Sequence, residues 1–420
     1  MAPPDVKRRL HESIDGEREK IVDLLSQLVK IPSDNPPGNT EKVAHFVEEY
    51  LEGWGFEPRL YEPNKGNVNV VASWGSGSPH LVLNGHLDQF TADVGEEWSV
   101  PPYSGAVKNG FLWGRGSGDM KGGLASLIYC FCEASRLDLP GKVTLTCTSD
   151  EETGGRWGAL WLLDNVPSLL GDAVLNGEPS GGTVRIGEKG MIPFTVKTRG
   201  KPAHGSFAGY AGENAIMKMG RLLPEIESLR NIPAKLTAAE NALTNELVKG
   251  YTVQFGHEAE GLANVLRHVT VNVGVIRGGA KANIVPAECE AEVDMRVPIG
   301  VSPKMLKERL DEKLRAIDPT ATAEYSRYEG TVIGATYSPP DSKLAKTISN
   351  NAKQVTGAQP FLSFTSGGTD CRFWRERGVP AIAYGPKVYA MGAADERVLV
   401  EDIITTAKVH AGTIIDFLTA

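Results

Sequence analysis

The stretch SPHLVLNGHLDQF, residues 78–90, decides how the chain folds. A short apolar run, Leu81-Val82-Leu83, leads into Asn84-Gly85-His86-Leu87-Asp88. The run reads as a buried strand. It ends on an imidazole and a carboxylate two residues apart, and residues i and i+2 of a strand share a face. Alone, such a pair is weak evidence of function.

Working outward, VNVVASW and HLVLNGH read as consecutive strands joined by a Gly-Ser-Gly-Ser hairpin loop. Upstream, residues 12–30 and 40–53 carry helical apolar spacing. Downstream, GDMKGGLASLIYCFCEAS opens as a glycine-rich loop and runs into a helix. Strand KVTLTCTS follows and ends at Asp150-Glu151-Glu152, and strand DAVLN ends at Gly177-Glu178-Pro179. This alternation predicts an α/β domain whose mixed sheet has a largely parallel core. From 189 the texture becomes α+β, with GMIPFTVKTRG, HVTVNVGVIRGG and AECEAEVDMRV as alternating strands. The polar segment 231–264 is expected on that domain's surface. After 330 the α/β texture returns. The expected organisation is a catalytic domain over 1–188 and 330–420, with an inserted lid and dimerisation domain over 189–329.

A chain of 420 residues is long enough for two such cores. A net charge of -8 argues against a general nucleic-acid binder. No run approaches the ~20 apolar residues of a membrane span. The charged N-terminal stretch has no apolar signal region, so the expected location is the cytoplasm. Five cysteines without a CxxC pair read as reduced, buried thiols. Cys371, beside a glycine-rich loop, reads as a packed residue rather than a nucleophile.

Three strands therefore end in metal-ligand residue types: His86 with Asp88, Glu151 with Glu152, and Glu178. Asp119 stands at a loop-to-helix junction. In open α/β sheets function collects at the carboxyl ends of the strands. Several buried charges of one sign need compensation, because burial costs several kcal/mol per ion. A divalent cation is the simplest compensation. Imidazole and carboxylate donors without thiolate suit Zn²⁺, Mn²⁺ or Co²⁺.

At this point the chain resembles a known family. GHLD (85–88), GRGSGDMKGG (114–123), DEETGG (150–155), NGEPS (176–180), GKPAHGS (200–206), GGAKANIVP (278–286), DMR (294–296) and SGGTDCR (366–372) occur in the family's order. It is similar to the dinuclear metallohydrolases that include acetylornithine deacetylase, succinyl-diaminopimelate desuccinylase, aminoacylase and carboxypeptidase G. The resemblance implies that His86 and Glu178 bind one metal, that Asp119 bridges to a second, and that Glu152 binds that second metal. It implies that Asp88 orients His86 and that Glu151 is the general base. It also implies a cis Asp119–Met120 peptide. In the inserted domain, His204 would reach across a homodimer interface to stabilise an oxyanion. Asn283 would face the substrate, and Arg296 would clamp a substrate carboxylate. Gly367 and Gly368 would offer backbone N–H groups, and Thr369 a hydroxyl.

One feature departs from the family pattern. Segment 384–398, YGPKVYAMGAADERV, has no histidine where the second metal's last ligand is expected, at Tyr389 or Gly392. The only histidine beyond residue 268 is His410, in the amphipathic terminal helix. One tight metal site and a doubtful second are therefore expected. The leading expectation is a metal-dependent hydrolase of an amide bond in a small carboxylate-bearing substrate, such as an N-acyl amino acid or short peptide. The alternatives are a one-metal aminohydrolase or deacylase for an aromatic amine or amide, and a family member that binds without turnover.

Overall fold

Strand His80–His86 is buried almost along its whole length. It lies between Lys142–Thr148 and Ala173–Asn176 and runs parallel to both. In a computed structural model describing residues 4–92, 95, 97–255, 265–325 and 333–420, these strands form the centre of a mixed sheet of nine strands among the described residues. Ala381–Ala383 extends the parallel core beyond Ala173–Asn176. Antiparallel strands close the sheet on both sides. Both faces are covered, so the central strands read as continuous apolar runs.

The expected hairpin between VNVVASW and HLVLNGH does not form. Asn67–Gly75 pairs antiparallel with Lys142–Thr148, which lies between it and His80–His86. Two apolar runs separated by a glycine-rich loop fit a hairpin locally. Only the arrival of a third strand between them decides otherwise.

Helix Gly122–Ala134 is buried at every residue, which an amphipathic surface helix could not be. Its start presses against the sheet, where a Cβ on Gly123 would stand 1.8 Å from the Gly177 carbonyl oxygen. That contact holds the loop bearing Asp119 against the strand end bearing Glu178. Terminal helix Val400–Thr419 covers it from behind. There His410 is held by Ser126 and by the Tyr384 carbonyl, and burial pushes its pKa down to about 4.

The second sheet is wholly antiparallel, in the order Thr270–Gly278, Glu288–Val297, Gly190–Arg199, Thr322–Tyr325. Strand Gly190–Arg199 alternates buried and half-buried residues, as expected when one face is packed. That face packs Ile192, Phe194 and Val196 with Leu306 and Leu310 of helix Pro303–Ile317 and Leu222 of helix Ala215–Glu227. Ser302 caps one helix and Asn214 the other.

Segment 231–264 departs from expectation. Its residues 238–255 form helix Ala238–Phe255, which packs on strand Leu362–Thr365 of the large sheet and sends Leu247 into that sheet's core. Gly250 permits this, because a Cβ there would meet the Leu362 carbonyl oxygen at 1.9 Å. Residues 256–264 lie outside the described residues. No helix among the described residues is long and apolar enough to cross a membrane.

Candidate metal centre

The parallel register places His86 beside Thr148 and Asn84 beside Asn176. The strands therefore end level, and His86, the 149–152 turn and Glu178 share one edge. Asp119 enters from the helix side. His86 Nε2 stands 3.3 Å from Asp119 Oδ1 and 3.4 Å from Glu178 Oε1. One donor atom from each residue lies within 4.8 Å of the other two. His86 is 1% exposed, and its Nε2 has no hydrogen-bond partner. An orphaned ring nitrogen facing two carboxylates fits a cation.

The charges agree. Burial raises the pKa of Glu151 and Glu152, with Glu178 adding to the first and Asp119 to the second. Glu178 is raised by burial and by Asp119. Burial opposes the His86 imidazolium, yet Asp119, Glu178 and Asp88 outweigh it and raise its pKa. The glutamates are pushed toward their neutral form and the imidazole toward its charged form, and a bound cation would reverse both pressures.

Asp88 does more than the sequence implied. The second ring nitrogen, His86 Nδ1, bonds the Asp88 main-chain carbonyl at 2.9 Å, and the Asp88 carboxylate stands farther off at 3.6 Å. The carboxylate instead accepts the N–H groups of Glu151 and Glu152, at 3.2 and 3.1 Å. It also accepts from Asn35 at 2.8 Å. One residue thus orients the imidazole with its backbone and aims both glutamates with its side chain.

A model of the Peptidase family M20/M25/M40 matches residues 82–416. The chain belongs to this family. It is a metal-dependent amide hydrolase of the kind that acts on acylated amino acids or peptides. It is 28% identical over 407 residues to a succinyl-diaminopimelate desuccinylase of Methylorubrum extorquens, covering 94% of this chain and 97% of that protein. Its fold is similar to a metallo-carboxypeptidase of Sulfolobus solfataricus, with a TM-score of 0.79, 21% identity and coverage of 95% and 99%. A di-peptidase of Saccharomyces cerevisiae matches with a TM-score of 0.78, 16% identity and coverage of 99% of each chain.

As the family resemblance implied, the Asp119–Met120 peptide is cis. Asp119, Glu151, Glu152 and Glu178 line a cleft of about 560 Å³. Arg296, Gly367, Gly368 and Thr369 line it too. Arg296 donates through Nε to Asp294 at 2.9 Å. Two of the three expected donors of the 366–369 loop, Gly367 and Thr369, have other partners. Gly367 N–H bonds Thr365 Oγ1, and Thr369 gives both its N–H and its hydroxyl to buried Glu188. Glu188 is in turn paired with buried Arg375 at 3.1 Å. Thr369 thus positions the loop, and Glu188, which the sequence did not single out, holds it.

His204 and Asn283 do not line the cleft of their own chain. They sit together elsewhere, joined by a bond from Gly205 N–H to the Asn283 carbonyl. His204 Nδ1 contacts Ser206 Oγ at 2.7 Å.

Glu152 lines the cleft with a buried, unpartnered Oε1, but it stands outside the group of three. Segment 384–398 supplies no ligand to it. Tyr389 stacks edge-on against Phe111 at 5.3 Å and lies near Arg397. Gly392 lies beside Phe90. What the segment does supply is Glu396, fully buried, which accepts from Arg115 at 2.9 Å and from the N–H groups of Gly118 and Asp119. It anchors the Asp119 loop. Cys371 is buried, and burial pushes its thiol up to about 12, so it stays protonated.

Proposed function

We propose that this chain hydrolyses the amide bond of an N-acyl amino acid or short peptide, using one tightly held divalent cation and Glu151 as general base. The observation that carries the reading is the trio of donor atoms from His86, Asp119 and Glu178, with a buried orphan Nε2, at a cleft that Glu151 also lines. Three protein donors leave a position open, as catalytic sites require. A divalent cation held there polarises the scissile carbonyl and lowers the pKa of water. Zinc, manganese and cobalt all suit these donors.

Glu151 takes a proton from the attacking water and later returns it to the leaving amine nitrogen. Asp88 keeps Glu151 aimed through the backbone bond. Arg296 reads the carboxylate of the amino-acid half with a planar fork. Asp119 and Glu152 remain as donors for a second cation, one ligand short, so that site is empty or readily lost.

The oxyanion donor is the partner subunit's His204. In support, the inserted domain leaves large apolar side chains in water, including Phe207 at 58%, Tyr210 at 98% and Ile284 at 45% exposure. Strand Thr270–Gly278 is also an unpaired sheet edge among the described residues. Both features suit a homodimer. The buried, unbridged cysteines suit the cytoplasm.

Mixing inactive Glu151→Gln and His204→Ala proteins tests the whole reading. Partial recovery of activity on an N-acyl amino acid is expected, because each hybrid dimer holds one intact site. A fully active monomer in sedimentation would exclude it.

A further inference from the structure

The cleft wall beside Asp119 is apolar where a ligand was expected. Phe90, Val388 and Met391 line the same cleft as Asp119 and Glu152. Phe90 is 38% exposed and Met391 48% exposed, so both rank among the large apolar side chains this chain leaves in water. Val388 is seated against Gly118, where a Cβ would come 2.1 Å from Val388 Cγ2. The apolar wall therefore begins one residue from Asp119. Gly392 leaves the Phe90 ring uncovered, since a Cβ there would lie only 3.8 Å from it and nothing extends further. Arg296 lines the cleft from a different element, strand Glu288–Val297 of the inserted sheet.

From this arrangement we propose that the acyl half of the substrate is apolar and occupies a subsite formed by Phe90, Val388 and Met391. The inference rests on the amide-hydrolase reading above and adds the class of acyl group. If the carboxylate of the amino-acid half sits at Arg296 and the carbonyl sits among His86, Asp119 and Glu178, the acyl chain extends from the carbonyl away from Arg296. An acidic acyl group would need a cation there. The two other guanidinium groups of the cleft donate to main-chain carbonyls and face carboxylates, Glu178 and Asp119 for Arg185 and Glu151 at 3.8 Å for Arg372, although neither Nε has a hydrogen-bond partner. Arg185 donates to Pro179, and Arg372 to Thr369 and Gly154. Lys387 is turned over the ring of Tyr389, which is packed on Phe111. A linear aliphatic or aryl acyl group removes the exposed Phe90 and Met391 surfaces from water, which an acetyl group is too short to do.

The test uses the metal-loaded protein and four substrates: N-acetyl-, N-hexanoyl-, N-benzoyl- and N-succinyl-alanine. The hexanoyl and benzoyl compounds should exceed the acetyl compound in kcat/KM by about tenfold or more, the scale of discrimination that added methylenes give in an apolar pocket. That ratio should collapse severalfold in Phe90→Ala and in Met391→Ala. Both side chains are half in water, so the fold should tolerate their loss, and calorimetric unfolding checks this. A second arm measures binding of N-hexanoyl-alanine to Glu151→Gln with and without Phe90→Ala, where the added substitution should weaken it about tenfold. Equal rates for acetyl and hexanoyl, preference for succinyl, or ratios unchanged by either substitution overturn the subsite. Failure to hydrolyse any of the four rejects these N-acyl amino acids as substrates, and the binding arm then decides the subsite alone.

Discussion

On one side of Asp119, His86 and Glu178 complete a set of three donors held by level strand ends and a buried helix start. On the other side, Glu152 lines the cleft together with the apolar side chains of Phe90, Val388 and Met391. Both sides adjoin the carboxylate of Asp119, yet among the described residues only one gathers three donor atoms. The contrast separates two tasks that the 384–398 segment could perform. Here it keeps the structural one, since Glu396 still anchors the Asp119 loop through two backbone N–H groups. At the positions where a ligand was expected stand Tyr389, packed on Phe111, and Gly392, and their neighbours Val388 and Met391 give the cleft an apolar lining.

The strongest way to probe the closed side is Glu151→Gln. It should cost on the order of 10²- to 10⁴-fold in kcat while metal content stays the same, as loss of a positioned base does. Near wild-type turnover would remove Glu151 from the mechanism.

The anchor of the open side is tested by Glu396→Ala. It leaves Arg115 buried without its carboxylate, at a cost of about 3–5 kcal/mol. Calorimetry should show a clear fall in the unfolding temperature, and metal should bind more weakly because the Asp119 loop loses its acceptor. An unchanged unfolding temperature would show that Arg115 finds another partner.

Counting metal after dialysis against a weak chelator compares the two sides directly. One equivalent per chain is expected to survive. Two surviving equivalents would mean that a further group completes the side bearing Glu152.

Arg296→Lys should raise KM about tenfold with a smaller change in kcat, since an ammonium cannot reproduce a bidentate contact. Amidation of the substrate carboxylate should have the same effect. Cleavage of acid and amide at equal rates would remove Arg296 from recognition.

The smallest effect concerns His410, the only histidine in sequence beyond residue 268. The fold keeps it neutral down to about pH 4, while an unfolded histidine takes its proton near 6.5. Between those values the unfolded chain binds more protons, so stability falls as pH drops from 6.5 toward 4. His410→Gln should flatten part of that slope in denaturation measurements. An identical slope would place His410 in a more open setting than the core.

Legible in the sequence were the imidazole and carboxylates at the strand ends, because apolar runs and the residues that end them are local facts. The antiparallel second sheet was legible from alternation for the same reason. The tertiary structure alone decided which strands became neighbours, and it separated Asn67–Gly75 from His80–His86 by inserting Lys142–Thr148. It also decided which polar groups hold the site in place. Asn35 reaches Asp88 across 53 positions, Glu188 reaches Thr369 across 181, and Glu396 reaches Gly118 across 278. No periodicity joins residues so far apart. Such bonds form because packing brings a buried donor and a buried acceptor together, and each must be satisfied once water is excluded. The same packing turned Tyr389 onto Phe111 and left Phe90 and Met391 facing the cleft, which the letters at those positions do not reveal.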